Sequence, residues 1–345
     1  MSTLVCLVSH QAMANVIPVL QMKPNKVILL STEQEASIAS NLKVLFNEKN
    51  IEVSEQRISA YKTVTIRKVC ESIVATEQDV SLNATGGTKP MAITAFDVFR
   101  SHGKKVVYYE PVQNHIFYLY PAEENFLTVD IKLNIEDYLK SYGYEIINKI
   151  NSKIRIESKR KFLTDISKDR YDDFIKFISK ISKKKFDIPN IDVKEKQFTF
   201  QKRSDKIMYK DSLQNNSFDI PLSGHKLGDM LEDLLFLKLE SLDTDDIKVE
   251  NHIKKNGISN EIDIIFTKNC KMHLISCKLN IRKAENPTVY EISSLKDLAA
   301  GTFGTAYIAV PDLKQCSENF LERCKLMNVK VIDMESVENI FNNLS

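Results

Sequence analysis

Asn260-Glu261-Ile262-Asp263 is followed, across an apolar run and the polar link Thr267-Lys268-Asn269, by Ile275-Ser276-Cys277-Lys278. An acid sits on one apolar run and a lysine on the next. Two strands joined by a tight turn bring Asp263 and Lys278 to the same edge of a sheet. Strand alternation places Glu261 and Asp263 on one face. It likewise places Ser276 and Lys278 together and turns Cys277 to the other side. An Asp able to hold a divalent cation, beside a Lys able to hold an anion, suits metal-assisted phosphodiester chemistry.

The flanking segments extend this pattern. Upstream, Leu227, Met230, Leu231, Leu234 and Leu235 form one helical stripe, with Glu232 at its margin. Gly228 lies about one turn before Glu232 on nearly the same face and leaves room for a phosphate or a cation. Alone, Glu232 reads as an ordinary surface acid. Downstream, Tyr290-Glu291-Ile292 lies on a helix, and Gly301-Thr302-Phe303-Gly304-Thr305 precedes a strand at Ala306–Val310. That glycine-bracketed segment reads as a sharp turn rather than a substrate contact.

The N-terminal part has a different rhythm. Leu4–Val8, Val27–Leu30, Val80–Leu82 and Val106–Tyr109 are short apolar runs, as in strands buried on both faces of a parallel sheet. Helices fall between them, at Glu33–Lys49 with Thr32 as a cap and at Thr88–Ser101. His115–Tyr120 reads as part of a terminal hairpin. The alternation predicts a doubly wound Rossmann-like domain, whose ligands bind beyond the carboxyl ends of the strands. Two polar loops lie there. One contains Ser9, His10, Gln11 and Asn15. The other is Asn83-Ala84-Thr85-Gly86-Gly87-Thr88-Lys89-Pro90. Glycines followed by hydroxyls and a lysine at a helix start suit a phosphate or nucleotide. The plainer reading is a strand-to-helix turn capped by Thr85 or Thr88. The spacing is neither G-x-G-x-x-G nor a Walker A, so a dinucleotide cofactor or ATP hydrolysis is not indicated.

Composition bounds the rest. The chain has 345 residues, 43% of them hydrophobic and 27% charged, with a formal net charge of +2. This is an ordinary globular composition, long enough for more than one domain and without a global field for polyanions. None of its six cysteines forms a CxxC pair, which argues against a structural zinc, and most lie in apolar runs as small buried hydrophobes, which favours a reducing compartment. No signal peptide opens it, and no apolar run approaches the ~20 residues of a membrane span. A cytoplasmic protein with no membrane attachment is expected. Between 131 and 222 the sequence is rich in lysine, notably Lys159-Arg160-Lys161 and Lys183-Lys184-Lys185. Such runs read as a solvated basic face, or as the path of a nucleic-acid backbone.

Taken together, Asn83–Met91, Gly228-Asp229-Met230-Leu231-Glu232, Asn260–Asp263, Ile275–Lys278 and Gly301–Gly304 resemble a known family. It joins a CRISPR-associated Rossmann-fold (CARF) sensor to a PD-(D/E)XK nuclease. The resemblance implies an α/β chain in three parts: a Rossmann-like CARF domain at 1–130, a small connecting region at 131–222, and a restriction-endonuclease-like α/β domain at 223–345. It implies a homodimer that binds cyclic tetra-adenylate through Ser9, His10, Gln11, Asn15, Asn83, Thr85, Gly86, Gly87, Thr88 and Lys89, and that cuts DNA or RNA with Mn2+ or Mg2+. Asp263 would hold the cation, helped by the Ile275 and Cys277 carbonyls, and Lys278 would orient the attacking water. One position departs from the family pattern: Ser276 stands where a Glu is usual. Glu291 is the first candidate to replace its charge and Glu232 the second. Two rival readings follow from the same residues, a catalytically silent ligand-binding regulator and a nucleotide phosphoesterase acting at the N-terminal loops.

Overall fold

A computed structural model describes residues 2–337 apart from 123, 148–151, 167, 185–187, 223–226, 282–284 and 335. Lys185 of the second basic run therefore lies outside the described residues. The N-terminal part runs β1 (Thr3–Leu7), α1 (Met13–Met22), β2 (Lys26–Ser31), α2 (Ala36–Glu48), β3 (Glu52–Arg57), α3 (Thr63–Thr76), β4 (Val80–Asn83), α4 (Lys89–Ser101), β5 (Val106–Glu110), β6 (His115–Tyr120) and β7 (Phe126–Thr128). These strands make one seven-stranded sheet in the order β3-β2-β1-β4-β5-β6-β7. The first five are parallel, and β6 and β7 are added antiparallel. Strand alternation divides β1 between two cores. Leu4 and Cys6 face α1 and α2, whereas Val5 and Leu7 face α3 and α4. The strand order reverses between β1 and β4, which opens a crevice beyond their carboxyl ends.

Three local expectations change. The first polar loop is shorter than it reads, because Asn15 is already inside α1. α2 begins after Glu35, not after a Thr32 cap. β3 carries too little apolar periodicity to be seen in the sequence, being a polar edge strand with no fully buried residue, whereas α3 buries Ile66, Cys70, Ile73 and Val74 at helical spacing.

The chain then forms α5 (Ile135–Ser141), capped by Asn134, whose Oδ1 accepts the Asp137 N–H at 2.7 Å. A two-residue strand follows, β8 (Glu145–Ile146). Next come α6 (Ser152–Thr164), α7 (Tyr171–Ser182) and an antiparallel meander of β9 (Asn190–Glu195), β10 (Phe198–Arg203), β11 (Lys206–Asp211) and β12 (Asn216–Pro221). Phe162, Phe174, Phe198, Tyr209 and Phe218 pack edge and face in its core. In the two basic runs Lys161, Lys183 and Lys184 are exposed, as a solvated face requires, whereas Lys159 is not. Lys159 is 2% exposed and pairs at 2.7 Å with Asp233, which is fully buried. Arg160 pairs with Glu157 and Glu240. Lys159, buried and paired, is closed to a nucleic acid.

The C-terminal part runs α8 (Asp229–Glu240), β13 (Asp246–Lys255), β14 (Ile258–Lys268), β15 (Lys271–Cys277), α9 (Glu285–Ala299), β16 (Gly304–Ala309), α10 (Glu318–Leu326) and β17 (Val329–Ile332). Its six-stranded sheet has the order β17-β16-β15-β14-β13-β8. The β14–β15 link is tighter than the polar run suggested. Only Asn269 and Cys270 turn, both with positive φ (50° and 59°), and Thr267 and Lys268 stay in the strand. One core runs from α1 and α2 through Tyr138 and Leu139 of α5, and Tyr142 just after it, to the sheet face under α9 and α10. A second fills the other face of that sheet, beneath α8 and the meander.

Candidate functional site

Asp263 and Lys278 meet as the alternation requires. The ladder pairs Ile264 with Ile275. One residue further on, Asp263 Oδ2 accepts the Cys277 N–H at 2.6 Å and the Ser276 hydroxyl at 3.4 Å, and lies 3.8 Å from Lys278 Nζ. On the other flank, β13 pairs Val249 with Ile264 and Asn251 with Ile262. Glu250, between them and opposite Asp263, has φ 55°, a left-handed conformation that non-glycine residues adopt at some cost and often near functional sites. Burial holds the Asp263 carboxyl above the ordinary carboxylate range; Lys278 and the Cys277 N–H partly offset this.

These residues line a cleft of about 280 Å3 together with Glu232, Glu261, Thr288 and Glu291. α8 delivers Glu232, and a Cβ on Gly228 would stand 3.9 Å from its Oε1, so the small residue and the acid do face each other. α9 delivers Glu291 and Thr288. Ser276, Cys277, Lys278, Glu232 and Glu291 thus share one cleft with Asp263. Thr288 was not legible, since a helix threonine gives no signal of its own. The Cys277 thiol is raised well above its usual value by burial and by Asp263, so only its main chain offers a cation a donor. The cleft presents carboxylate and hydroxyl oxygens, the hard donors that suit Mg2+ or Mn2+. Among the described residues no three His, Cys, Asp or Glu side chains are grouped closely enough to hold an ion outright.

The crevice at the β1–β4 reversal forms a second cavity, of about 460 Å3. Ser9, His10, Gln11, Thr85, Gly86, Gly87 and Thr88 line it, with Tyr108 and Tyr109 opposite. The glycines have structural reasons: a Cβ on Gly86 would stand 2.2 Å from the Leu7 carbonyl oxygen, and Gly87 has φ 77°. Thr88 caps α4, accepting the Met91 N–H at 3.3 Å and donating to the Ala60 carbonyl at 2.6 Å. Two expected ligand residues sit behind the wall. Asn83, fully buried, donates to the Ala14 carbonyl at 2.8 Å and accepts the Thr85 hydroxyl at 2.6 Å. Asn15 donates to the Leu7 carbonyl at 3.0 Å. Both brace the cavity rather than face it. Lys89 opens α4 and is exposed, outside the lining.

The wall also contains Thr302 and Phe303, from the glycine-bracketed turn of the C-terminal part. That turn is a single 3-10 turn, as read, but it faces the N-terminal cavity and not the acidic cleft.

A parallel sheet with a polar cavity at its strand-order reversal, joined to a sheet with an Asp–Lys cleft, defines a ligand-sensing Rossmann domain coupled to a nuclease. Residues 3–138 match the family model described as Card1 CARF domain, and residues 225–345 match the one described as Card1-like, endonuclease domain. The chain therefore belongs to the Card1-like CARF endonucleases, and it is a nucleic-acid-cleaving hydrolase. Solved structures share the fold. Can2 from Sulfobacillus thermosulfidooxidans, in complex with cyclic tetra-adenylate, is 22% identical over 100% of both chains, with a TM-score of 0.74. Protein VC1899 from Vibrio cholerae is 18% identical over 99% of this chain and 97% of its own, with a TM-score of 0.75. A type III CRISPR defence DNA nuclease activated by cyclic oligoadenylate is 16% identical, with a TM-score of 0.58, over 89% of this chain and 45% of its own. No curated protein matches. No helix among the described residues is long and apolar enough to cross a membrane.

Proposed function

We propose that the chain is a divalent-cation-dependent nuclease switched on by cyclic tetra-adenylate, acting as a homodimer in type III CRISPR defence in the cytoplasm. The observation that carries this reading is the pairing, in one chain with a shared core, of the polar β1–β4 cavity and the Asp263–Lys278 cleft. The ligand that Can2 holds, and the activator of the type III nuclease, support cyclic tetra-adenylate as the occupant of the cavity.

The cleft itself argues for the cation. It gathers Glu232, Glu261, Asp263 and Glu291 around Lys278, the one cation among the described residues of its lining. Such a surface repels a phosphodiester until a positive charge enters. Asp263, Glu291 and Glu232 would hold Mg2+ or Mn2+, which when bound acidifies water and neutralises charge on the phosphate. Lys278 orients the attacking water and stabilises the developing oxyanion. Ser276 keeps Asp263 turned into the cleft through its hydroxyl. In the upstream cavity, the Gly86-Gly87 backbone, with Ser9, His10, Gln11 and Thr88, would receive phosphate and ribose, and Lys89 would add charge at its margin.

The test incubates purified protein with Mn2+ and nucleic acid, with and without cyclic tetra-adenylate. Cleavage should require both, and Asp263→Asn should abolish it while calorimetry shows ligand binding unchanged. Full cleavage by Asp263→Asn removes the activity from this cleft. Loss of the ligand rather than of the nucleic acid points to the phosphoesterase reading.

A further inference from the structure

The cavity that receives the ligand in this reading is not built by the sensor domain alone. Thr302 and Phe303 belong to the turn between α9 and β16 of the nuclease, yet they form part of the cavity wall. Gln11, in the loop after β1, holds this turn: its Oε1 accepts the Thr302 N–H at 2.9 Å and the Thr302 hydroxyl at 3.0 Å. Phe303 reaches the other side of the cavity and stacks on Tyr109, with ring centroids 5.9 Å apart and planes 13° from parallel. The Tyr109 N–H donates to the Thr85 hydroxyl at 2.8 Å, which ties that ring to the Gly86-Gly87 loop. The turn thus touches the first loop of the cavity directly and reaches the second through Tyr109.

The fit leaves no slack. Gly301 has φ 61°, and a Cβ there would stand 2.4 Å from Gln11 Oε1 and 2.6 Å from the Tyr142 hydroxyl oxygen. Beneath it, the Tyr138 hydroxyl donates to the Ala300 carbonyl at 3.1 Å, which anchors the end of α9 to α5. α9 runs Glu285–Ala299 and carries Glu291 and Thr288 into the acidic cleft. Glu291 therefore stands about two turns, or ~12 Å, from the end of the helix that ends at the cavity.

We propose that the Gly301–Phe303 turn is the receiver of the activating signal: a nucleotide in the sensor cavity contacts Thr302 and Phe303 directly and, through α9, repositions Glu291 in the cleft. A helix is stiff along its axis, so a displacement of the turn moves the whole of α9. The Gln11 amide then serves two partners, the ligand and the nuclease, so that occupancy of one is felt by the other. Thr302 and Gly301 are positioning residues here, not catalytic ones.

This inference rests on the activation reading above, and its test separates the two. Hydrogen exchange of the full-length protein is followed with and without cyclic tetra-adenylate, alongside calorimetry and cleavage. In the wild type, ligand should change exchange in both the Gly86-Gly87 loop and α9. In Thr302→Val and Gly301→Ala, where at most one ligand contact of several is lost, the ligand at saturating concentration should still bind and still protect the sensor loops. The α9 response should disappear, and the ratio of cleavage with and without ligand should fall by about 5-fold or more. Thr302→Ser keeps the hydroxyl and should restore the coupling. A ligand-responsive wild type whose Thr302→Val and Gly301→Ala variants keep both the α9 response and the activation ratio overturns the inference alone. Loss of ligand binding in Thr302→Val makes the residue a simple ligand contact and overturns it as well. A wild type that neither binds nor answers to cyclic tetra-adenylate overturns the activation reading itself.

Discussion

Ser276 stands where a carboxylate would complete a Glu-x-Lys strand, and its hydroxyl goes to Asp263 instead. A hydroxyl brings no charge to a hard cation, so a second carboxylate must come from elsewhere in the cleft. Glu291 and Glu232 both reach the cleft, from α9 and α8. We expect Glu291→Gln to raise the Mn2+ concentration needed for cleavage and to lower the maximal rate roughly 10²-fold, as for lost charged active-site contacts. Ser276→Glu in that background should recover part of the loss, because both carboxylates would serve the same cation. A metal titration in which Glu291→Gln is normal and Glu232→Gln is dead transfers the role to α8. Much of this site was legible, since a period of two fixes which strand residues share a face, and Asp263 and Lys278 needed nothing more. The loop residues were not. A polar residue after a strand reads the same whether it faces a ligand or braces the wall, and only the structure shows the Asn83 amide spent on Ala14 and Thr85.

Among the elements, α6 and α8 are joined by the buried pair of Lys159 and Asp233, next to Glu232 in the chain. Its partners lie 74 residues apart, which is why the sequence offered Lys159-Arg160-Lys161 only as a basic run. Removing Lys159 takes away the buried cation that faces the Asp233 carboxylate. Lys159→Ala should therefore lower stability by about 3–5 kcal/mol in denaturant titration, and Lys159→Met with Asp233→Leu should recover most of it. Equal stability of Lys159→Ala and the wild type would mean that water reaches Asp233. The same scale explains the missed β3. Edge strands carry polar residues that discourage further pairing, and Glu52–Arg57 has the composition of a loop. Buried strands such as β1 advertise themselves because both of their faces are apolar.

At the scale of the whole molecule, the core does not stop at the domain boundary. Side chains of α1 and α2, of α5, and of the sheet face beneath α9 form one buried cluster. Unfolding of the sensor and the nuclease should then be a single event. Cyclic tetra-adenylate at about 100 times its dissociation constant should stabilise both sheets together by about 2.7 kcal/mol. Hydrogen exchange near the unfolding midpoint would check this: protection gained in β1 and β4 alone, with β14 and β15 unchanged, would show two independent units. The shared core has its counterpart in β8. Only two residues long, it follows directly on α5 and closes the edge of the nuclease sheet beside β13. Sensor and effector are consequently not interchangeable modules. An ancestral recombination that exchanged sensors between such nucleases would have had to carry the stretch from Ile135 to Ile146 across intact, or leave the inherited nuclease with a bare edge. Lineages of these proteins should therefore inherit α5 and β8 with the nuclease, and diversify instead at the cavity loops ahead of them.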